Sequence, residues 1–191
     1  MSHYHVILEV KEAFDNAKRQ LELAKATHDE EKIHDAISQM QKYSSILIIE
    51  DDSGFGLLNN QQTAVTKQKA GYYLRKALQD LPDDWDLLYF VVQPIERTTK
   101  IFPHLYKLKN SWSLCCYAIH YPMYEPLVEH LKKIEDPLVT KILPVDSEIG
   151  SIHHLHHVYA IYPSIVFTYS GPSFVSGLQW DLPWQGQPKF H

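Results

Sequence analysis

Four aliphatic residues, Ile46, Leu47, Ile48 and Ile49, run directly into Glu50, Asp51 and Asp52, with Ser53 and Gly54 following. Carboxylates crowded at the end of an apolar run repel one another, and a divalent cation is a common remedy. If the extended backbone persists through the acids, Glu50 and Asp52 point to one side and Asp51 to the other. Two hard oxygen ligands on one side suit Mg²⁺ or Mn²⁺ held jointly with substrate phosphates. Ser53 and Gly54 would let the chain turn closely past such a site. The plainer alternative is a solvated strand terminus or an acidic helix start.

A second group of acids lies in "PVDSEIG". Asp146 and Glu148 are candidates for a catalytic base, a carboxylate that takes the proton of an attacking hydroxyl. Asp146 alternatively caps the helix that follows it. In "HHLHH", His153 and His157 stand four apart, as metal ligands do on one helical face. No glutamate completes a zinc-protease pattern there. The alternatives are incidental histidines on a helix or loop surface, or a pH-sensitive patch near Asp146. Trp85, Trp180 and Trp184 could stack on a sugar ring; Trp85 reads as core, and the other two as a platform or as anchors closing the domain. Tyr169, Ser170 and Ser173 line an acceptor or make ordinary turn hydrogen bonds.

Elements to position these groups are legible around them. Val6, Val10, Phe14, Ala17, Leu21 and Ala24 recur at spacings of three and four, which predicts a helix over about 3–26. Thr27 with Glu30 fits a capping box, opening a second helix with Ile33, Ala36, Ile37 and Met40 on its apolar face. "SILIIE" reads as a central strand buried on both faces, "DLLYFVV" as a second buried strand and "SWSLCCYAI" as a third. Helices are expected from about Ala64 to Gln79 and over "MYEPLVEHLKKI". "HVYAIYPSIVFTY" is strand-like, with Pro163 marking an edge or bend. The end of the chain, 178–191, is rich in Pro, Gly and Trp and reads as an irregular, flexible tail. Helices alternating with buried strands predict one α/β domain over 1–191 with an open, mainly parallel sheet, whose ligands bind at the carboxyl ends of the strands.

Composition narrows the function classes. The chain of 191 residues is 45% hydrophobic and 21% charged, the balance of a globular protein. A net charge of −5 argues against a nucleic-acid binder working through a general basic surface. Cys115 and Cys116 are adjacent in a strand, so they point to opposite faces and do not bridge. With no disulfide framework a reducing compartment, the cytoplasm, is expected. No stretch reaches membrane-spanning length.

Taken in order, these pieces resemble glycosyltransferase family 25, the bacterial lipooligosaccharide glycosyltransferases and the related collagen galactosyltransferases. "SILIIEDD" resembles the family's acidic strand, Ser2-His3 with "VILEV" its upstream helix, and "DDWDLLYF" the strand that follows. "SWSLCCYAIHYPMYEPL", "PVDSEI" and "VYAIYPSIVFTYSGPSFVSG" resemble the later elements, although Phe174 stands where an acid often follows the serine. The resemblance covers about 2–12 and 44–177. It implies a nucleotide-sugar-transferase fold of GT-A-like type and transfer of a hexose, often galactose, from a UDP-sugar to a saccharide or glycoconjugate acceptor. Glu50 and Asp52 would hold Mn²⁺ or Mg²⁺, Asp51 and Ser53 would face the donor, and Asp146 matches a family position. Family members usually carry a strand and helix ahead of the "SH" helix. Relative to them the chain reads as shortened, with a helical hairpin over about 13–42 inserted to cover the sheet edge. Two other functions fit the same residues: a non-catalytic relative that binds a protein or itself through the hairpin, and a metal-dependent phosphoester hydrolase.

Overall fold

The structure, a computed structural model, describes residues 3–50, 53–58, 65–96, 98–112, 115–134, 144–168, 171–172 and 179–180. Along the chain come α1 (His3–Ala26), α2 (Glu30–Lys42), β1 (Ser45–Ile49), β2 (Ser53–Phe55), β3 (Leu57–Leu58), β4 (Val65–Thr66), α3 (Lys67–Asp80) and β5 (Leu87–Tyr89). Then follow β6 (Gln93–Pro94), β7 (Thr99–Phe102), β8 (Leu105–Lys107), β9 (Ser111–Trp112), β10 (Cys116–His120) and α4 (Tyr124–Ile134). The remainder is α5 (Val145–Ser151), β11 (Val158–Ile161), β12 (Val166–Thr168), β13 (Gly171–Pro172) and β14 (Gln179–Trp180). No helix among the described residues is long and apolar enough to cross a membrane. The chain forms two compact units, Met1–Ile46 with Ile119–Leu143 and Leu47–Ala118 with Pro144–His191.

The first unit is helical. The apolar stripe of α1 buries Ile7, Phe14, Ala17 and Ala24, while α4 buries Tyr124, Leu127, Val128 and Leu131. The Phe14 ring stacks on Tyr121 at 4.7 Å and meets Tyr124 edge-on at 6.5 Å. The Tyr124 hydroxyl donates to the Tyr43 carbonyl at 2.9 Å. Lys11 reaches Asp15 at 2.8 Å and Glu125 at 2.7 Å; these two hydrogen-bonded carboxylates push its amine up to about 12. The turn between α1 and α2 differs from the capping box expected at Thr27. Thr27 still belongs to the end of α1, its hydroxyl donating to the Leu23 and Ala24 carbonyls. His28 takes the left-handed conformation (φ 52°), and the amides of His28 and Asp29 bond back to Lys25 O and Ala24 O. That bond pair is a Schellman motif, which closes a helix through a left-handed residue. Asp29 is therefore the N-cap of α2 and accepts from Lys32 N at 3.1 Å. Ile37, placed on the apolar face by its spacing, is exposed. Because α1 runs unbroken from His3, the expected upstream helix and the first arm of the hairpin are one element.

The second unit holds most of the strands. One sheet has the order β1-β10-β5-β11-β8-β7, and the molecule is mixed α/β. "DLLYFVV" behaves as expected: Leu87 to Val92 are all buried. Ala70 and Ala77 of α3 pack in the same core cluster as Leu88, Phe90, Leu105, Cys116, Tyr159 and Ile161. Small residues at these helix positions let α3 approach the strands closely.

Two expectations about the sheet are corrected. It is mixed rather than mainly parallel: β5 and β11 run parallel, whereas β11 with β8 and β8 with β7 run antiparallel. β1 and β10 are antiparallel as well, since Tyr121 N donates to Ser44 O at one end and Glu50 N to Cys115 O at the other. The hairpin β7–β8, built on "TKIFPHLYK", carries no long apolar run and was not anticipated. β1 is an edge strand, not a central one, and its residues alternate between exposed and half-buried. Leu47 and Ile49 are 52% and 58% exposed. A run of aliphatic residues fixes strand propensity but does not fix how many faces are covered. Pro163 lies in the bend between β11 and β12, and β11 itself is internal to the sheet.

Candidate functional site

Glu50 lies one residue beyond β1, where its amide makes the last bond to β10 at Cys115 O, 2.9 Å. Ser53 N donates back to Glu50 O at 3.1 Å. Asp51 and Asp52 lie outside the described residues, and with them the expectation that Glu50 and Asp52 share one side; Tyr169, Ser170, Ser173, Phe174 and Trp184 lie outside them too. The Ser53 hydroxyl donates to Cys115 O at 3.0 Å. Gly54 serves packing: a Cβ there would sit 2.6 Å from the Phe167 ring, which covers it across the β2–β12 pair.

The second acidic group is on α5. Pro144 is the N-cap, so Asp146 and Glu148 lie within the first turn. An Asp146 Oδ1 accepts from Ser147 N at 2.8 Å, satisfying one of the unpaired amides of a helix start. Asp146 does help to close the helix end, from inside the first turn rather than from the cap. Both carboxylates are half-buried. The last turn of α5 lies against β9. A Cβ on Gly150 would be 2.5 Å from Ser111 O and 3.0 Å from Asn110 Oδ1, so only glycine fits without displacement.

Two buried phenols lie in the strands between these acidic groups in sequence. Tyr89 of β5 and Tyr117 of β10 stack with ring centroids 5.7 Å apart. Burial first, then the Glu50 carboxylate, raises the Tyr117 hydroxyl above its ordinary range. Burial likewise raises Tyr89, with Tyr117 and then Asp146 adding to it. The acid at the end of β1 thus bears on Tyr117, and the acid at the start of α5 bears on its stacking partner Tyr89.

A buried polar chain adjoins this pair. The Tyr89 hydroxyl is 2.9 Å from His153 Nε2, and His153 Nδ1 is 3.3 Å from Ser111 Oγ. Burial, with a smaller contribution from His156, pushes the imidazole down to about 3, so it is neutral. The histidine cluster is divided accordingly. His153 is a buried core histidine with both nitrogens engaged, not a surface residue, while His154 and His157 are exposed. His157 Nδ1 lies 3.0 Å from Asp84, and His156 Nδ1 lies 3.6 Å from Asp86. These contacts join the cluster to the "DDWD" turn rather than to Asp146. Four-residue spacing does not make His153 and His157 a ligand pair here, because α5 ends before them and a 3₁₀ turn intervenes.

Trp85 is half-buried against the core, as its sequence position suggests. The backbone of Trp180 pairs with Gly171 in β13–β14. Cys115 and Cys116 are unbridged, and burial pushes the Cys116 thiol up to about 12, which makes it a poor nucleophile. Among the described residues no three His, Cys, Asp or Glu side chains group closely enough to hold a metal ion. An open groove of about 550 Å³ on α1, lined by Asp15, Lys18, Arg19, Glu22 and Leu23, contains none of the candidate residues. Sequence reasoning missed Tyr89, Tyr117 and Ser111. The available signal was a tyrosine inside each of two otherwise apolar strands, since a buried phenol needs a polar partner. Comparison with models of protein families, with curated proteins and with solved structures finds no match in any of the three.

Proposed function

We propose that the chain is a metal-dependent glycosyltransferase of family 25 type, with a GT-A-like fold, that moves a hexose from a UDP-sugar to a saccharide or glycoconjugate acceptor. What supports this reading is that the Glu50 carboxylate raises the Tyr117 hydroxyl and the Asp146 carboxylate raises that of Tyr89, two phenols whose rings stack 5.7 Å apart. Donor activation and acceptor deprotonation need acids of two roles near one reacting centre. Glu50 supplies hard oxygen at the strand end, which fits Mn²⁺ or Mg²⁺, and Asp52 is its proposed partner ligand. A cation held there would supply the charge that neutralises the departing diphosphate. Asp146, or Glu148 beside it, accepts the proton of the acceptor hydroxyl as that oxygen bonds the anomeric carbon. Asp51 and Ser53 face the donor. Ser53 keeps lone pairs for this after donating its own proton to Cys115.

The discriminating variants are Glu50→Gln and Asp52→Ala. Each should keep the fold and weaken Mn²⁺-dependent UDP binding by about tenfold or more in calorimetry, since changes even in the groups supporting a metal site cost that much. Unchanged affinity in both would remove the acids from the site. Release of phosphate or nucleoside monophosphate without sugar transfer would make the chain a phosphoester hydrolase instead. The non-catalytic reading rests on the helical unit, whose α1 presents the mixed-charge groove. Folded protein that takes up a protein partner there and no UDP would favour it.

A further inference from the structure

The chain Tyr89–His153–Ser111 has no part in the chemistry assigned above, yet all three residues are almost wholly buried: 1%, 0% and 1% exposed. Each comes from a different place: β5, the 3₁₀ turn directly after α5, and β9. We infer that Tyr89 and Ser111, acting through His153, are positioning residues that hold α5, and with it the Asp146 carboxylate, against β9. The inference rests on the reading of Asp146 as proton acceptor. α5 has seven residues, too few to be stable alone, and its N-cap Pro144 makes no side-chain cap bond. What fixes it is its buried end: Gly150 pressed on β9 beside the buried Ile149, then His153 two residues beyond α5. A neutral imidazole offers one N–H and one lone pair, and two hydroxyls can complement it in either direction. Removing any member leaves a buried polar group unpaired.

Acid should loosen this anchor before it loosens the core. The groups facing His153 are Tyr89 from β5, Ser111 from β9 and His156 from its own turn, with Tyr117 of β10 behind Tyr89. Among the described residues, the carboxylates of Asp146 and Glu50 act on the phenols and that of Asp86 on His156. Neither ring nitrogen meets a carboxylate among the described residues, so none of them compensates a proton there.

The test is hydrogen–deuterium exchange on the full chain, comparing α5 amides with those of β11. His153→Ala and Ser111→Ala should each speed α5 exchange about tenfold at neutral pH while β11 keeps its protection. His153→Gln, whose amide can donate and accept, should restore it. In the wild type, α5 exchange corrected for intrinsic rates should rise as pH falls from 6.5, and His153→Gln should be flat. Should His153→Ala not fold, Ser111→Ala decides. Wild-type protection of α5 in a folded variant, or α5 and β11 loosening in step in these variants at neutral pH, overturns the inference. A wild type that binds neither Mn²⁺ nor UDP would overturn the transferase reading and leave this result intact.

Discussion

Gly150→Ala is expected to destabilise the protein by about 2 kcal/mol or more, because the added carbon must push a backbone carbonyl rather than a side chain. For a chain of this length that is a fall of roughly 4–8 °C in melting temperature. The reason is local: the new Cβ would stand 2.5 Å from Ser111 O, and β9 can retreat only by disturbing its pair with β6 and the Ser111–His153 contact. The Gly150 φ is not in the left-handed region, so the cost is contact and not backbone strain. Thermal unfolding followed by circular dichroism measures it. An alanine variant as stable as wild type would mean that α5 does not lie on β9, and the placement of Asp146 would fall with it.

The second large effect is acid sensitivity. The His153 imidazole has a folded value of about 3 against 6.5 for an unburied histidine. Between those two values the unfolded chain binds a proton that the folded chain refuses. Stability therefore rises with pH across that window and is lost as pH falls through it. The slope approaches about 1.4 kcal/mol per pH unit once the unfolded histidine is fully protonated, several kcal/mol in all. Chemical denaturation at a series of pH values from 7 to about 4 reads the slope directly. His153→Gln, which carries no titrating ring, should show a shallower fall across that window. Parallel curves would show that the histidine is not held neutral by burial.

Much of the scaffold was legible in the sequence because it depends on near neighbours. The three-and-four spacing of Phe14, Ala17, Leu21 and Ala24 defined α1, and the unbroken apolar run from Leu87 to Val92 defined the inner strand. What escaped depends on distant contacts. Whether Leu47 and Ile49 are covered is decided by the neighbours of β1 in the sheet, not by their own apolarity. The cap at Asp29 instead of Thr27 turned on one left-handed residue, His28, which competes with a capping box of equal appearance. At the candidate site, acid types and positions were readable at Glu50 and Asp146, but the stacked phenols they bear on were not. His153 meets Tyr89 across 64 positions, and nothing in "HHLHH" distinguishes the buried ring from the exposed ones.

In the proposed transferase a cation held at Glu50 lies near Tyr117, the stacking partner of the phenol that Asp146 raises. Paramagnetic broadening of assigned amide signals by Mn²⁺, with UDP present, tests it most directly. Selective loss of the Glu50, Tyr117 and Asp146 signals, with Mg²⁺ causing no broadening, is the predicted result. Broadening centred elsewhere, at the Asp84–His157 contact for example, with Glu50 and Asp146 unchanged, would contradict it.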